Sequence, residues 1–290
     1  SISGQINVAR FGNSAGSATV SATGGTSPYT YTWNTIPAQY TATATGLAAG
    51  TYTATVRDAN NCSTTVSVTI TQPAAALNAD ILSESDVLCH GGATGSATVG
   101  ATGGTSPYTF TWNTSPVQYG ATASNLLAGI YIATAVDANG CSDTAVVRIT
   151  EPAASLAASI SGQINVACFG NNTGSATVSA VDGTPSYTYT WNTIPAQFTA
   201  TATGLVAGTY TATVKDANNC STTVSVTITQ PAGGLTASVS GAGSQVNVSC
   251  FGGTNGSATA TAAGGTSSYT YTWNTTPAQY TATATNLPSG

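Results

Sequence analysis

The sequence predicts an all-β protein made of tandem β-sandwich modules, and three observations lead to this prediction. A tryptophan motif recurs along the chain, segments of alternating polar and apolar residues fill the intervals, and Gly, Pro and Asn separate those segments. The apolar spacing of an amphipathic helix appears nowhere. We therefore expect short strands joined by turns, with one face of each strand buried.

The tryptophans set the length of the repeat, because they stand 79, 79 and 82 residues apart at Trp33, Trp112, Trp191 and Trp273. Each follows a Gly-Ser-Ala-Thr run and precedes a Leu-x-x-Gly turn. Three repeats close on Thr-(Gln/Glu)-Pro-Ala, where proline removes a ladder donor and ends the last strand. The predicted domains are repeat 1 (1–73), repeat 2 (74–152), repeat 3 (153–231) and repeat 4 (232–290).

Repeat 4 is incomplete. Its sequence stops at Gly290, where the earlier repeats continue into two further strands, the first of them beginning near Thr51 in repeat 1. A sandwich without these strands leaves half of its core uncovered and one sheet edge open. We expect either that a longer protein continues here or that another copy donates the missing strands.

The strand segments within a repeat indicate its topology. In the run from Tyr29 to Trp33 the aromatic residues alternate with threonine, as expected of a strand with one buried face. A tyrosine that opens a strand after Leu-x-x-Gly is typical of the tyrosine corner of Greek-key sandwiches, and Tyr52, Tyr131 and Tyr210 occupy that place. We predict an immunoglobulin-like sandwich in each repeat, and an extended string of repeats that contact only their neighbours.

Charged residues make up only 4% of the chain, and the net charge is −5. Four basic residues spread over 290 positions do not neutralise a run of phosphates, which excludes nucleic acid as a partner. No apolar stretch approaches the roughly 20 residues that span a bilayer. A surface rich in threonine hydroxyls fits an extracellular protein and offers acceptors for O-glycans, of which Thr144, in Asp-Thr-Ala, is a candidate.

An even number of cysteines in a non-cytosolic repeat protein indicates disulfides. Pairing within repeats joins Cys89 to Cys141 and Cys168 to Cys220, and leaves Cys62 without a partner because Arg10 stands at the first-cysteine position. Pairing between sequence neighbours gives Cys62–Cys89, Cys141–Cys168 and Cys220–Cys250. The two cysteines of a repeat lie near turns at nominally opposite ends of a sandwich, so these pairings and free or intermolecular thiols all stay open.

Catalytic and metal-binding groups are sparse. The single histidine, His90, follows Cys89 in one repeat and is interpreted as a solvated turn residue, and no carboxylate pair recurs to serve as acid and base. The Asp-Ala-Asn loops, such as the one at Asp58, supply one carboxylate each, which is too few for a strong calcium site and is typical of tight turns. We predict no enzymatic activity, no cofactor and no metal site.

Two groups of aromatic residues are distinguished by their surroundings. Those that alternate strictly with threonine are expected in the core. Four others follow Pro-Ala-Gln or Pro-Val-Gln and are the candidates for exposed contacts, namely Tyr40, Tyr119, Phe198 and Tyr280. Exposed aromatic rings stack on sugars, so an alternative function is an array of glycan-binding modules that acts by avidity.

The segments from Gly24 to Trp33 and from Leu47 to Cys62, together with the closing Thr-Ile-Thr-Gln-Pro-Ala, resemble the SprB repeat of giant Bacteroidota surface proteins. In that family the repeats form long surface filaments, exported by the type IX system, that serve gliding motility and attachment. The resemblance implies a structural or adhesive segment at the cell surface, whose partners are further repeats or copies of the chain. It assigns no catalytic or ligand residue, and Arg10 departs from the family's paired cysteines.

Overall fold

The computed structural model describes residues 1–239 and 243–290. All regular secondary structure in these ranges consists of β-strands. The chain forms two compact units, residues 1–151 and 152–290. The first unit holds repeats 1 and 2, and the second holds repeats 3 and 4. Within the described ranges no helix is long and apolar enough to cross a membrane.

Repeat 1 is a sandwich of two antiparallel sheets. Its strands are β1 (Ile2–Ile6), β2 (Gly16–Val20), β3 (Thr30–Trp33), β4 (Thr43–Leu47), β5 (Gly50–Arg57) and β6 (Ser63–Ile70). One sheet has the order β1-β2-β4 and the other β3-β5-β6, so the chain crosses repeatedly between sheets. This is the arrangement of strands A, B and E against strands C, F and G in immunoglobulin-like domains. The predicted fold class is therefore confirmed.

Repeats 2 and 3 have the same arrangement. In repeat 2 the strands are β7 (Asn78–Ser85), β8 (Gly95–Thr102), β9 (Thr109–Trp112), β10 (Gln118–Tyr119), β11 (Thr122–Leu126), β12 (Gly129–Val136) and β13 (Ser142–Ile149). In repeat 3 they are β14 (Ala157–Ile164), β15 (Gly174–Val181), β16 (Thr188–Trp191), β17 (Thr201–Leu205), β18 (Gly208–Lys215) and β19 (Ser221–Ile228). The sheets are β7-β8-β11 with β10-β9-β12-β13, and β14-β15-β17 with β16-β18-β19.

A tryptophan occupies the centre of each complete sandwich. Trp33 is 1% exposed, and its indole N–H donates to the Thr41 carbonyl at 3.0 Å, so burial leaves no polar group unpaired. Its cross-strand neighbour is Ala54, whose small side chain leaves room for the ring. Trp112 opposite Ala133 and Trp191 opposite Ala212 repeat this packing.

The tyrosine corner forms as the sequence predicts. The Tyr52 hydroxyl donates to the Ala48 carbonyl at 3.1 Å, and Tyr131 and Tyr210 make the same bond to Leu127 and Val206 at 3.1 Å. Each bond fixes the turn that carries the chain from one sheet to the other.

The outward faces of the sheets carry hydroxyls that pair across strands. Thr19 bonds Thr43 at 3.0 Å, Thr51 bonds Thr69 at 3.1 Å, and Thr53 bonds Ser67 at 2.9 Å. Paired hydroxyls hydrate well and stabilise neighbouring strands without charge. The hydroxyl pairs therefore give the sheets a polar outer surface although the chain has few ionised side chains.

Repeat 4 contains β20 (Thr236–Ser238), β21 (Gln245–Val246), β22 (Gly256–Thr259), β23 (Thr261–Ala263) and β24 (Thr283–Leu287). They form the sheets β20-β23 and β21-β22-β24. Gly290 is equivalent to Gly50, the first residue of the strand that pairs with the tryptophan strand in repeat 1. Trp273 makes the same isolated bridge to Gln279 that Trp33 and Trp191 make to their glutamines, but it is partly exposed.

Candidate functional site

The loop that follows each tryptophan presents an aromatic ring to solvent. We call residues 34–40, 113–119, 192–198 and 274–280 the aromatic loops. The four aromatic residues singled out in the sequence lie here and are 68–76% exposed, namely Tyr40, Tyr119, Phe198 and Tyr280. Ile36 and Ile194, in the same loops, are fully exposed as well. The sequence analysis missed these two, although an isoleucine before proline outside any alternating segment is a signal of exposure.

The aromatic loops are held in place by side-chain hydrogen bonds. In repeat 1 the Gln39 amide donates to the Thr45 carbonyl at 2.9 Å and accepts from the Thr45 N–H at 2.9 Å. The Thr35 hydroxyl donates to the Pro37 carbonyl at 2.8 Å. The glutamine bonds recur in the other repeats at Gln118, Gln197 and Gln279. A loop fixed in this way presents its ring with little ordering entropy left to lose on binding.

The turn between the last two strands is built around one carboxylate. We call residues 58–62, 137–141 and 216–220 the FG turns. Asp58 accepts backbone N–H bonds from Asn60 and Cys62, both at 2.9 Å, and from Thr26 in another loop at 3.1 Å. Both of its oxygens are therefore engaged in capping the turn. The same three bonds are present at Asp137 and Asp216.

These bonds favour the ionised carboxylate. The Thr26 N–H, aided by those of Cys62 and Asn60, lowers the pKa of Asp58 below its usual value. Burial works against ionisation at Asp137, but the N–H groups of Cys141, Thr105 and Asn139 outweigh it and lower that pKa too.

Acid is therefore expected to weaken the FG turns. A carboxyl whose pKa is depressed in the fold stabilises the protein fully above its unfolded pKa of about 3.9, and this stabilisation is lost as pH falls through the folded pKa. The melting temperature of the chain should therefore fall as the pH drops below about 4. In the double variant Asp58→Asn and Asp137→Asn, this fall should shrink and the melting temperature at pH 7 should drop. Glu84→Gln, at an exposed position, is the control, and an unchanged acid profile in the double variant would contradict the assignment.

The turn between the first two strands lies at the other end of the sandwich. We call residues 7–15, 86–94 and 165–173 the AB turns. The Val8 N–H donates to the Thr71 carbonyl at 2.9 Å, and the Gly12 N–H donates to the Gln72 side chain at 2.9 Å. Thr71 and Gln72 follow β6, whereas Cys62 directly precedes it. The eight residues of β6 thus place the two turns of one repeat about 26 Å apart.

This separation excludes a disulfide between the two cysteines of one repeat. Cys89 and Cys220 are disulfide-bonded, and the thiols are those of Cys62, Cys141, Cys168 and Cys250. Neither pairing expected from the sequence is present, since each gives Cys89 a partner that is a thiol. Pairing within a repeat fails because a disulfide needs Cα atoms within about 7 Å, far less than the length of a sandwich.

Within residues 1–151 the AB turn of repeat 1 meets the FG turn of repeat 2. The Ala9 carbonyl accepts from the Asn139 amide at 3.2 Å and lies 3.7 Å from the Cys141 sulfur. The Arg10 guanidinium donates to the Gly140 carbonyl at 3.4 Å. The two repeats therefore meet end to end through these turns.

A cavity of about 420 Å³ lies in repeat 1. It is lined by residues at the FG-turn end of the sandwich, including Gly25 and Asp58. At the equivalent place in repeats 2 and 3 the leucines Leu77 and Leu156 pack over Gly104 and Gly183. In these two repeats the leucine comes from the linker that precedes the first strand.

The remaining predicted positions lie apart from these features. His90 is in an AB turn, 3.7 Å from the Glu151 carboxylate, and Thr144 is exposed on β13. Across residues 1–239 and 243–290, no group of three or more His, Cys, Asp or Glu side chains is arranged to hold a metal ion.

Several solved structures are similar to this chain in part. Three domains of the outer capsid protein Hoc of bacteriophage RB49 are 14% identical, with a TM-score of 0.34, covering 74% of this chain and 94% of theirs. A structure concerning cell-surface retention of a 1.5-MDa bacterial ice-binding adhesin is 13% identical, with a TM-score of 0.39, covering 74% and 89%. A tetra-tandem repeat from the extending region of a large adhesion protein is 16% identical, with a TM-score of 0.27, covering 90% and 79%.

No curated protein matches the chain in a sequence comparison. The family model described as the SprB repeat matches four times, at residues 7–38, 83–117, 163–196 and 242–277. Each match contains the first-cysteine position and the tryptophan, and one falls in each of the four repeats. The chain therefore carries four SprB repeats.

Proposed function

We propose that the chain is a spacer segment of a long extracellular filament, which extends an adhesive element from the cell surface and serves attachment and gliding. The family supports an extracellular, adhesin-like repeat segment. The observation that carries the spacer role is the end-to-end contact of repeats 1 and 2, through turns that recur in the other repeats. A filament needs identical units that contact their neighbours at fixed ends, and the domain limits 1–73, 74–152, 153–231 and 232–290 define those units.

A second candidate is glycan binding by avidity. It is favoured by the exposed rings of the aromatic loops, which are held rigid and recur once per repeat. A single ring stacking on a sugar binds weakly, whereas four rings on one chain raise the effective concentration of the later contacts.

A binding assay on the whole chain separates the two functions. The spacer function predicts no saturable, sugar-inhibitable binding on a glycan array, and equal retention on cell surfaces after Tyr40, Tyr119, Phe198 and Tyr280 are all replaced by alanine. These side chains are at least 68% exposed, so the variant is expected to keep its fold, which its thermal melt checks. The control replaces four outward threonines on the sheets. Saturable binding that disappears only in the aromatic variant would overturn the spacer function and support the lectin-like one.

A further inference from the structure

Repeat 2 carries apolar side chains on the outward face of one of its sheets. Ile130 and Ile132 lie on β12, Val146 lies opposite Ile132 on β13, and their side chains are 65%, 38% and 62% exposed, respectively for Ile130, Ile132 and Val146. Arg148, which is also exposed, lies opposite Ile130. We call these four residues the isoleucine face. Contiguous exposed apolar side chains on a soluble protein mark an interaction surface.

The fold does not require these apolar side chains. The same four positions carry only hydroxyl residues in the neighbouring repeats, namely Thr51, Thr53, Ser67 and Thr69 in repeat 1 and Thr209, Thr211, Ser225 and Thr227 in repeat 3. There the hydroxyls bond each other across the strands, as Thr53 does with Ser67 at 2.9 Å. Repeat 2 has therefore lost two hydroxyl pairs that stabilise the same strands elsewhere, and has gained an apolar surface with one positive charge.

The other sheet of repeat 2 is altered as well. Leu82, on β7, is 68% exposed and lies over Gly100 of β8, where an added Cβ would be 2.7 Å from the leucine side chain. Asp80, two residues earlier, pairs with Gly100 in the strand register and is exposed, and its carboxylate accepts from the Asn78 amide. We call Asp80 and Leu82 the leucine face. Serines occupy both positions in the neighbouring repeats, namely Ser1 and Ser3 in repeat 1 and Ser159 and Ser161 in repeat 3.

The two faces complement each other in hydrophobicity and in charge. Both expose aliphatic side chains, and the cation of the isoleucine face, Arg148, matches the anion of the leucine face, Asp80. Because they lie on the outer sides of the two sheets of one sandwich, they point in opposite directions and do not meet within one repeat.

We propose that repeat 2 docks laterally onto repeat 2 of a second copy of the chain, with the leucine face of one copy against the isoleucine face of the other. The contact joins two different surfaces, so each pair of copies keeps one face of each kind free and is able to add further copies. A single contact is small compared with the roughly 20–30 residues per side of a standard interface. We therefore expect a weak association, with a dissociation constant on the order of 100 µM.

Sedimentation velocity of the whole chain at increasing concentration tests the proposal. The four thiols are first alkylated, so that disulfides between copies do not contribute. The average mass of the native chain should rise with concentration and should fall again as salt screens the ion pair. One variant carries Ile132→Thr and Val146→Ser, and a second carries Leu82→Ser. Each should raise the dissociation constant at least about tenfold.

The matched control exchanges hydroxyl residues at the same positions of repeat 3, as Thr211→Ser with Ser225→Thr, and should associate like the native chain. The variants carry the residues that repeats 1 and 3 have at these positions, so the fold should accept them, and a thermal melt checks this. A native chain that stays monomeric at every concentration, or a variant that associates as the native chain does, would overturn the proposal.

Mixing the two variants distinguishes the proposed contact from a contact of one face with itself. The first variant keeps the leucine face and the second keeps the isoleucine face, so the mixture should form pairs although neither variant associates alone. A mixture that stays monomeric would overturn the proposal. This result does not depend on the proposed filament role, because it is measured on the isolated chain.

Exchanging the two charges tests the pairing of Arg148 with Asp80. Arg148→Asp alone should weaken the association, because it places two carboxylates against each other. Asp80→Arg in the same chain should restore it, since the ion pair then forms in the reverse sense. A double variant that associates no better than Arg148→Asp would contradict the proposed orientation of the two faces.

Discussion

Replacing Trp191 with alanine is expected to destabilise repeat 3 by about 3–5 kcal/mol, which is the usual cost of removing a large buried aromatic side chain. Trp191 is 1% exposed, and its indole N–H bonds the Thr199 carbonyl at 3.0 Å. Its neighbour across the strands is Ala212, which is too small to fill the space left by the ring. The variant loses buried apolar area and leaves a carbonyl unpaired.

Hydrogen exchange followed by mass spectrometry measures this loss repeat by repeat. Peptides from β16, β18 and β19 should lose protection, whereas those from repeat 1 should not. Trp273→Ala is the matched control, because the same residue in the same motif is partly exposed in repeat 4. Equal loss of protection in the two variants would contradict the assignment of Trp191 to the core.

Replacing Leu156 with alanine is expected to destabilise the same repeat by about 2–5 kcal/mol. Leu156 lies in the linker that precedes β14, yet it is 9% exposed and belongs to the core of repeat 3. It packs so closely over Gly183 that a Cβ added there would lie 3.1 Å from the Leu156 Cβ.

The denaturation midpoint of repeat 3, read from exchange at increasing urea, gives the size of the effect. Val206→Ala is the control, since Val206 is 50% exposed and should change the midpoint little. A similar midpoint for the two variants would show that the linker does not contribute to the sandwich. The expected result makes the linker a structural part of the repeat that follows it.

Periodicity predicted the fold well, because alternation along a strand directly records which face is buried. The strand from Thr30 to Trp33 and the tyrosine corner at Tyr52 follow from residues close together in the sequence. The exposure of Tyr40 and its equivalents followed from their position outside any alternating segment. The core position of Leu156 could not be predicted from the sequence, because a single leucine in a linker shows no periodicity.

The sequence by itself determined the repeat, its strands and its sandwich topology, because these depend on local alternation and on turn chemistry. Only the tertiary structure decided which turns meet. The two cysteine turns of one repeat are separated by the length of a strand. The end-to-end contact of repeats 1 and 2 brings Arg10 close to Cys141, although the two residues are 131 positions apart in the sequence. Such a contact depends on how one sandwich stacks on the next, which no pattern within a single repeat contains.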